Sequence, residues 1–225
     1  MIRSATPLQT ISALAPRGDL VVLSPHPDDE VLGCGGALAL ACRSAIRPIV
    51  VALTDGAGSH PGSAAYPPAR LAEVRAEEQR AGLQALGSDI TLIRLALPDG
   101  DLEPGVDTAF LALEDELSPG STILSPGLDD PHPDHRAAFR LGARLASRLG
   151  GRHYSFPVRA HLGSGYGEAG DLALDVRAVL DCKRRALAMH QSQLGGLIVD
   201  DPDGFHLTDD DLSFHFEGWE FFRPR

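Results

Sequence analysis

A chain of 225 residues, 43% hydrophobic and 23% charged, has a globular composition and enough length to bury a full core in one domain. Its formal charge of −11 argues against nucleic acid or an anionic membrane as the main partner. The one lysine, Lys183, stands against nineteen arginines, so Schiff-base chemistry would rest on that residue alone.

Residues 1–18 contain no apolar run long enough for a signal peptide, and no later segment approaches eighteen apolar residues, so the expectation is a cytoplasmic protein without a membrane span. Leu20-Val21-Val22-Leu23 is a short, β-branched apolar run bounded by Gly18-Asp19 and Pro25, and predicts a buried strand over 19–24. Ser24-Pro25-His26-Pro27-Asp28-Asp29-Glu30 follows, and then an Ala/Leu-rich helical stretch over 31–46. One imidazole and three carboxylates thus fall on a strand-to-helix turn, where α/β proteins place ligand sites. Helix capping explains one or two of the carboxylates but not the group. Gly33-Cys34-Gly35-Gly36 is not placed for a dinucleotide fingerprint, because the first turn is already occupied. These glycines are expected to let the helix pack closely on the sheet.

Further strands are predicted at 48–54, 90–95, 121–125 and about 153–158, alternating with helices at 68–87, 107–117 and 134–149. That alternation specifies a Rossmann-like, three-layer α/β fold with a mostly parallel sheet. From 171 the pattern changes to a strand over 171–175, a helix over 176–192, an acidic loop, and a strand-like end at Phe214–Phe222. The expected organisation is one domain over 1–225, with a core at about 19–195 and a C-terminal extension at 196–225 that closes the site. Cys34, Cys42 and Cys182 are odd in number and lack C-x-x-C spacing, which indicates neither a disulfide framework nor a thiolate zinc site.

The strand at 121–125 leads into Leu128-Asp129-Asp130-Pro131 and then His132-Pro133-Asp134-His135 at a helix start. Two His-Pro-Asp groups, each at a strand-to-helix turn of one parallel sheet, can lie side by side. Together they offer a His/Asp/His triad for one divalent metal, with a carboxylate and an imidazole left over for proton transfer.

These two motifs resemble the signatures of the LmbE-like (PIG-L) N-acetylglucosaminyl deacetylases. Arg75-Ala76-Glu77-Glu78, Leu97-Pro98-Asp99-Gly100 and His190-Gln191-Ser192-Gln193 are similar to further family segments, so the resemblance covers most of 20–195. It implies that His26, Asp29 and His135 bind zinc, that Asp28 is the general base, and that His132 is the general acid or oxyanion stabiliser, oriented by Asp134. It further implies that Arg75 and Asp99 contact sugar hydroxyls, although Arg75 paired to Glu78 on a solvated face is an alternative. The implied partner is a small N-acylated sugar or sugar conjugate, acetyl being the expected acyl group. The loop before His132 lacks the tyrosine that some members carry, and Thr54-Asp55-Gly56-Ala57-Gly58-Ser59-His60 lacks an acidic residue that many place there. Both departures bear on substrate more than on reaction.

Two alternatives accompany this reading. A His/Asp/His set also suits iron(II) or another divalent metal, so a non-haem iron enzyme is the second class. A non-catalytic, metal-bound sugar-binding protein is the third, and the extra Asp28 and His132 count against it. Arg136, Arg140, Arg144 and Arg148 are expected on a solvated helix face. The aspartates of 200–211 lack EF-hand order and are expected in a solvated loop. His153, His161, His206 and His215 have no partner motif.

Overall fold

A computed structural model describes residues 4–159 and 165–225; His161 lies outside them. In chain order the elements are β1 (Thr6–Leu8), α1 (Ile11–Leu14), β2 (Leu20–Ser24), α2 (Asp29–Ala41), β3 (Pro48–Thr54), α3 (Pro68–Leu86), β4 (Thr91–Leu97) and α4 (Val106–Leu113). They continue with β5 (Thr122–Pro126), α5 (Pro133–Leu149), β6 (Arg152–Phe156), β7 (Leu172–Asp175), α6 (Leu180–Leu187), α7 (Asp209–Ser213) and β8 (Trp219–Pro224). The strands form one eight-stranded sheet ordered β1-β7-β8-β6-β5-β2-β3-β4. From β6 to β4 every neighbouring pair is parallel. β8 runs antiparallel to both β6 and β7.

The inner strands are apolar at successive positions because helices cover both faces, as parallel sheets require. Along β2, Leu20 and Val22 join the core shared with α2 and parts of α3 and α6, whereas Val21 and Leu23 join the core shared with α4 and α5. α2 lies close to the sheet, as its glycines led us to expect. A Cβ on Gly33 would stand 2.1 Å from Phe156 Cδ2, and one on Gly36 would stand 2.4 Å from Val176 Cγ1.

A buried ion pair runs into the same helix. Gly36 N–H, whose partner in a regular ladder is the Leu32 carbonyl, donates to Glu220 Oε1 at 2.7 Å, and Ala37 N–H donates to Oε2 at 2.8 Å. Lys183 Nζ donates to the Leu32 carbonyl and to Glu220 Oε1, both at 2.7 Å. The lone lysine is therefore a buried strut between α6, α2 and β8.

Two expectations change, and two are met with added detail. The helix read over 176–192 is only α6, flanked by 3₁₀ turns at Arg177–Val179 and Gln191–Gln193. Ser192 N–H and Oγ bind Glu78 at 2.8 and 2.6 Å, and His190 is buried against Gly82; both draw the chain off the helical path. The strand-like end begins at Trp219, after a 3₁₀ turn at Phe214–Phe216 and a positive φ of 90° at Gly218. Arg140, Arg144 and Arg148 lie on a solvated face as expected, and there they pair with Glu103 before α4, Asp107 within it and Glu114 at its end. Asp200 and Asp201 pin the loop after β3, accepting from Ser63 Oγ, Ala65 N–H and Gly62 N–H at 2.7–2.9 Å. Among the described residues no helix is long and apolar enough to cross a membrane.

Candidate metal centre and active site

β2 and β5 are adjacent parallel strands, so the turns that leave them share one carboxyl edge of the sheet. After β2, Thr54 N–H and Oγ1 of β3 both donate to the Pro25 carbonyl, at 3.1 and 2.7 Å. Asp28 then takes φ 139° and ψ −27°, a left-handed conformation that costs a non-glycine residue about 1–3 kcal/mol and gathers at functional sites. Glu30, fully buried, holds this turn from below. Its Oε2 lies 2.5 Å from Ser24 Oγ and accepts from Asp28 N–H at 3.2 Å, while Oε1 accepts from Gln79 Nε2 at 3.2 Å. Burial pushes the Glu30 carboxyl pKa upward.

Arg75 is buried, not on a solvated face, and Glu78 is taken by Ser192. Its guanidinium donates to the Gly56 and Pro27 carbonyls at 2.9 Å each and lies 3.5 Å from Asp28 Oδ2. Arg75 thus ties the loops after β2 and β3 together beside Asp28.

After β5, His132 caps α5 and its Nδ1 accepts the Asp134 N–H at 3.2 Å. With Nδ1 an acceptor, the proton of the neutral ring sits on Nε2. The Asp134 carboxylate does not orient His132 as expected. It accepts from Gly100 and Leu102 N–H at 2.8 and 2.9 Å and meets His26 Nε2 at 3.2 Å, because its buried side chain points across to β2 and the loop after β4. Asp134 therefore touches His132 through its backbone and His26 through its carboxylate.

The two turns converge. His26 Nδ1 lies 3.1 Å from Asp29 Oδ2, His135 Nε2 lies 3.3 Å from the same oxygen, and the two imidazole nitrogens are 3.3 Å apart. A tetrahedral cation bound at about 2.0–2.1 Å separates its ligands by about 3.3–3.4 Å, so these three donors fit the face of one such site. Two other sets, His26/His132/His135 and His26/Asp99/Asp134, also have their ligand atoms within 4.8 Å of one another. The set containing Asp29 has all three edges at 3.1–3.3 Å and combines two imidazoles with one carboxylate.

The electrostatics suit a cation. Burial alone would lower the His26 pKa, yet Asp134, Asp29 and Asp99 outweigh it and raise it well above the ordinary histidine value. Burial opposes ionisation of Asp29 too, and His135 and His26 hold its carboxyl well below the usual range. Asp130 Oδ1 faces His135 Nδ1 at 2.9 Å and accepts the His132 N–H at 2.9 Å. A carboxylate behind a metal-ligating histidine is the usual outer support. Asp130 was not singled out as a site residue in the sequence; an Asp two residues before a capping histidine was the available signal.

Asp28 is buried, and among the described residues its carboxylate meets one side-chain donor, Arg75 at 3.5 Å. Burial raises its carboxyl to about 7, with Asp29 and Glu30 adding to the rise and Arg75 and His26 opposing it. His132 is lowered to about 4 by burial and by the neighbouring His26 and His135, so its ring is neutral across the physiological range. Asp99 accepts the Gly58 N–H at 2.8 Å and meets His26 Nε2 at 3.2 Å. Burial opposes its ionisation, but His26 brings it down to about 2.

His26, Asp28, Asp29, Arg75, Asp99, His132 and His135 line a cavity of about 170 Å³, and Glu30, Asp130 and Asp134 stand behind it. Leu32, Val158, Phe205 and Leu207 form its apolar wall, with Arg159 and Asp211 also on the lining. Phe205, Leu207 and Asp211 come from the segment expected to border the site. All eight residues singled out in the sequence are accounted for: His26, Asp28, Asp29, Arg75, Asp99, His132 and His135 line the cavity, and Asp134 stands behind His26.

Residues 21–146 match the family described as PIG-L, GlcNAc-PI de-N-acetylase. The chain is 29% identical over 191 residues to a diacetylchitobiose deacetylase of Thermococcus kodakarensis, covering 77% of this chain and 69% of that protein. It is 26% identical over 193 residues to a probable N-acetyl-α-D-glucosaminyl L-malate deacetylase of Bacillus cereus, covering 80% and 86%. Among solved structures, the N,N′-diacetylchitobiose deacetylase of Pyrococcus horikoshii superposes with a TM-score of 0.69 at 20% identity, over 97% of this chain and 86% of that one.

Proposed function

Because the chain belongs to the GlcNAc-PI de-N-acetylase (PIG-L) family, we propose that it is a zinc-dependent hydrolase removing the acetyl group from the nitrogen of an amino sugar or sugar conjugate. The observation that carries the reading is the triangle of His26 Nδ1, Asp29 Oδ2 and His135 Nε2, with edges of 3.1–3.3 Å. These three would hold the metal, supported by Asp134 and Asp99 behind His26 and by Asp130 behind His135. When bound, zinc supplies Lewis acidity to the amide carbonyl and brings the pKa of water to about 7.

The remaining work falls to the chain's own side chains. Asp28, with a carboxyl at about 7, takes the proton of the attacking water at Oδ and returns it to the departing nitrogen. A base matched to the working pH contributes about 10²–10⁴-fold. His132, neutral and protonated on Nε2, donates a hydrogen bond where negative charge develops on the carbonyl oxygen. Of the two roles read from the sequence, oxyanion stabiliser suits this neutral ring better than proton donor. Asp99 accepts from a sugar hydroxyl, and Arg75 acts chiefly by fixing the backbone around Asp28.

The relatives act on diacetylchitobiose and on an N-acetylglucosaminyl malate, by their names; the shared part is an N-acetylated glucosamine. The test is release of free primary amine from a panel of N-acetylated amino sugars by the zinc-loaded protein, with metal-stripped protein as control. Metal-dependent amine and acetate appear in equal amounts on this reading. No release across the panel from fully zinc-loaded protein refutes it, and oxygen-dependent turnover with iron alone reassigns the site to oxidation.

A further inference from the structure

The carboxyl edge of the sheet sets out the cavity lining in a line. In the strand order β4-β3-β2-β5-β6, the loop after β4 carries Asp99, the turns after β2 and β5 carry the metal triangle, and the chain after β6 carries Val158. The two ends of this line differ in kind. At the β3–β4 end the lining is polar, with the Asp99 carboxylate held on the Gly58 N–H. At the β6 end it is aliphatic.

That end is assembled from three segments. α2 leans over β6, with Gly33 packed against Phe156, and so carries Leu32 to the side of Val158. Buried His215 joins the two: its Nε2 donates to the Val158 carbonyl at 2.7 Å, and the ring also meets the Leu32 backbone. Leu32 and Val158 belong to the main core, and Leu207 packs against the same core from the segment before α7. Leu207 N–H donates to the Gln193 carbonyl at 2.8 Å. The charged groups bordering this end are engaged: Arg159 lies over the Phe205 ring at 4.8 Å, and Asp211 accepts from Thr208 N–H and Oγ1.

An N-acylated amino sugar has the same polarity. Asp28, beside Arg75 and the loop after β3, must reach the departing nitrogen, and His132, after β5, must reach the carbonyl oxygen. The nitrogen and its sugar then point to the β3–β4 end, and the acyl chain points to β6. An aliphatic wall offers sugar hydroxyls no hydrogen-bond partner, whereas an alkyl chain needs none. Zinc adds positive charge at the centre of the line, to which an uncharged chain is indifferent.

Building on the deacetylase reading, we infer that Leu32, Val158 and Leu207 form an acyl slot, and that the substrate class is an N-alkanoyl amino sugar with a chain longer than acetyl. The bond cleaved is the same amide C–N bond. A hydroxyl of water joins the acyl carbon, the remaining proton joins the nitrogen, and the products are the free amine and the alkanoic acid. A methyl group covers little of a wall made of three aliphatic side chains, and each further methylene removed from water favours binding by about fourfold.

The experiment measures kcat/KM of the zinc-loaded enzyme for N-acetyl-, N-propionyl- and N-butyrylglucosamine, and for the methyl and butyl glycosides of N-acetylglucosamine. The acyl series should rise about fourfold per methylene, carried by KM, with no rise along the glycosides. Leu207→Asn, polar and nearly isosteric, flattens the series. Val158→Phe fills the slot and brings the butyryl-to-acetyl ratio below one. Asp99→Asn, at the opposite end, lowers every member alike and keeps the ratio. Calorimetric titration of zinc-loaded Asp28→Asn with the same compounds reads binding without turnover, and Kd should fall by the same factor per methylene. Absence of amine release from every compound would sink the deacetylase reading, while the calorimetric series still decides the slot. A butyryl-to-acetyl ratio at or below one in either readout, a series unmoved by both Leu207→Asn and Val158→Phe, or a gain along the glycosides instead, would overturn the acyl slot.

Discussion

Asp28 and Asp29 are neighbours in sequence and opposites in setting. Asp29 meets two imidazoles, while Asp28 is buried and, among the described residues, has Arg75 as its one ion-pair partner, at 3.5 Å. Asp29→Ala is expected to lose metal affinity, and Asp28→Asn to retain one metal per chain while kcat falls about 10²–10⁴-fold. Elemental analysis beside steady-state kinetics separates the two; near wild-type turnover by zinc-loaded Asp28→Asn would remove it as the base. The histidines make a second prediction. Without metal, His26 and His135 are both raised above the ordinary value, so near pH 6.5 each is more than half protonated, yet each must be neutral at the ligating atom. Zinc binding near that pH should release more than one proton, and affinity should rise with pH. Calorimetry in buffers of different ionisation enthalpy measures this; a proton count of zero would mean that these rings do not ligate. The chemical residues were legible because each set sits within a few positions of one turn. Their supports were not: Arg75 reaches carbonyls 19 and 48 residues away, and Asp130 faces His135 only once the loop before α5 has folded.

At the scale of elements, α2 shows what pattern can and cannot tell. Its glycines signalled close packing, and Gly33 and Gly36 admit no Cβ against Phe156 and Val176. What no local pattern revealed is that Lys183 and Glu220, 37 residues apart, enter the same helix. Both side chains are almost fully buried, so removing one leaves the other charged without its counter-ion. Lys183→Met should cost about 3–5 kcal/mol, and adding Glu220→Gln should recover part of that loss. Urea denaturation of the metal-free proteins measures both, and a double variant no more stable than the single one would mean that charge is not the cause. Helix α6 was read too long for a related reason: Ser192 bonding to Glu78 ends its path, and that bond spans 114 residues.

Across the whole molecule, alternating apolar runs and helical patterns placed β2 to β6 and their helices, because each strand buried on both faces writes a continuous apolar run. β1 has three residues, none of them fully buried, so it leaves no such mark. The position of β8 is a property of the assembled sheet. Read as an extension from the sequence, the last segment proves to be the strand that joins the β1–β7 pair to the parallel strands, and its preceding loop supplies Phe205 and Leu207 to the cavity.

The place of β8 has a consequence for the order of assembly. It follows both of the strands that it separates, so β6 and β7 cannot become part of one sheet until a later segment slides between them. Before that moment both strands offer unpaired edges, and Lys183 waits for its carboxylate. The chain is then most open to pairing with another copy of itself. Contacts this remote in sequence also close slowly. The strand that locks α2, and with it the turn bearing Asp28 and Asp29, is thus the one on which escape from aggregation depends.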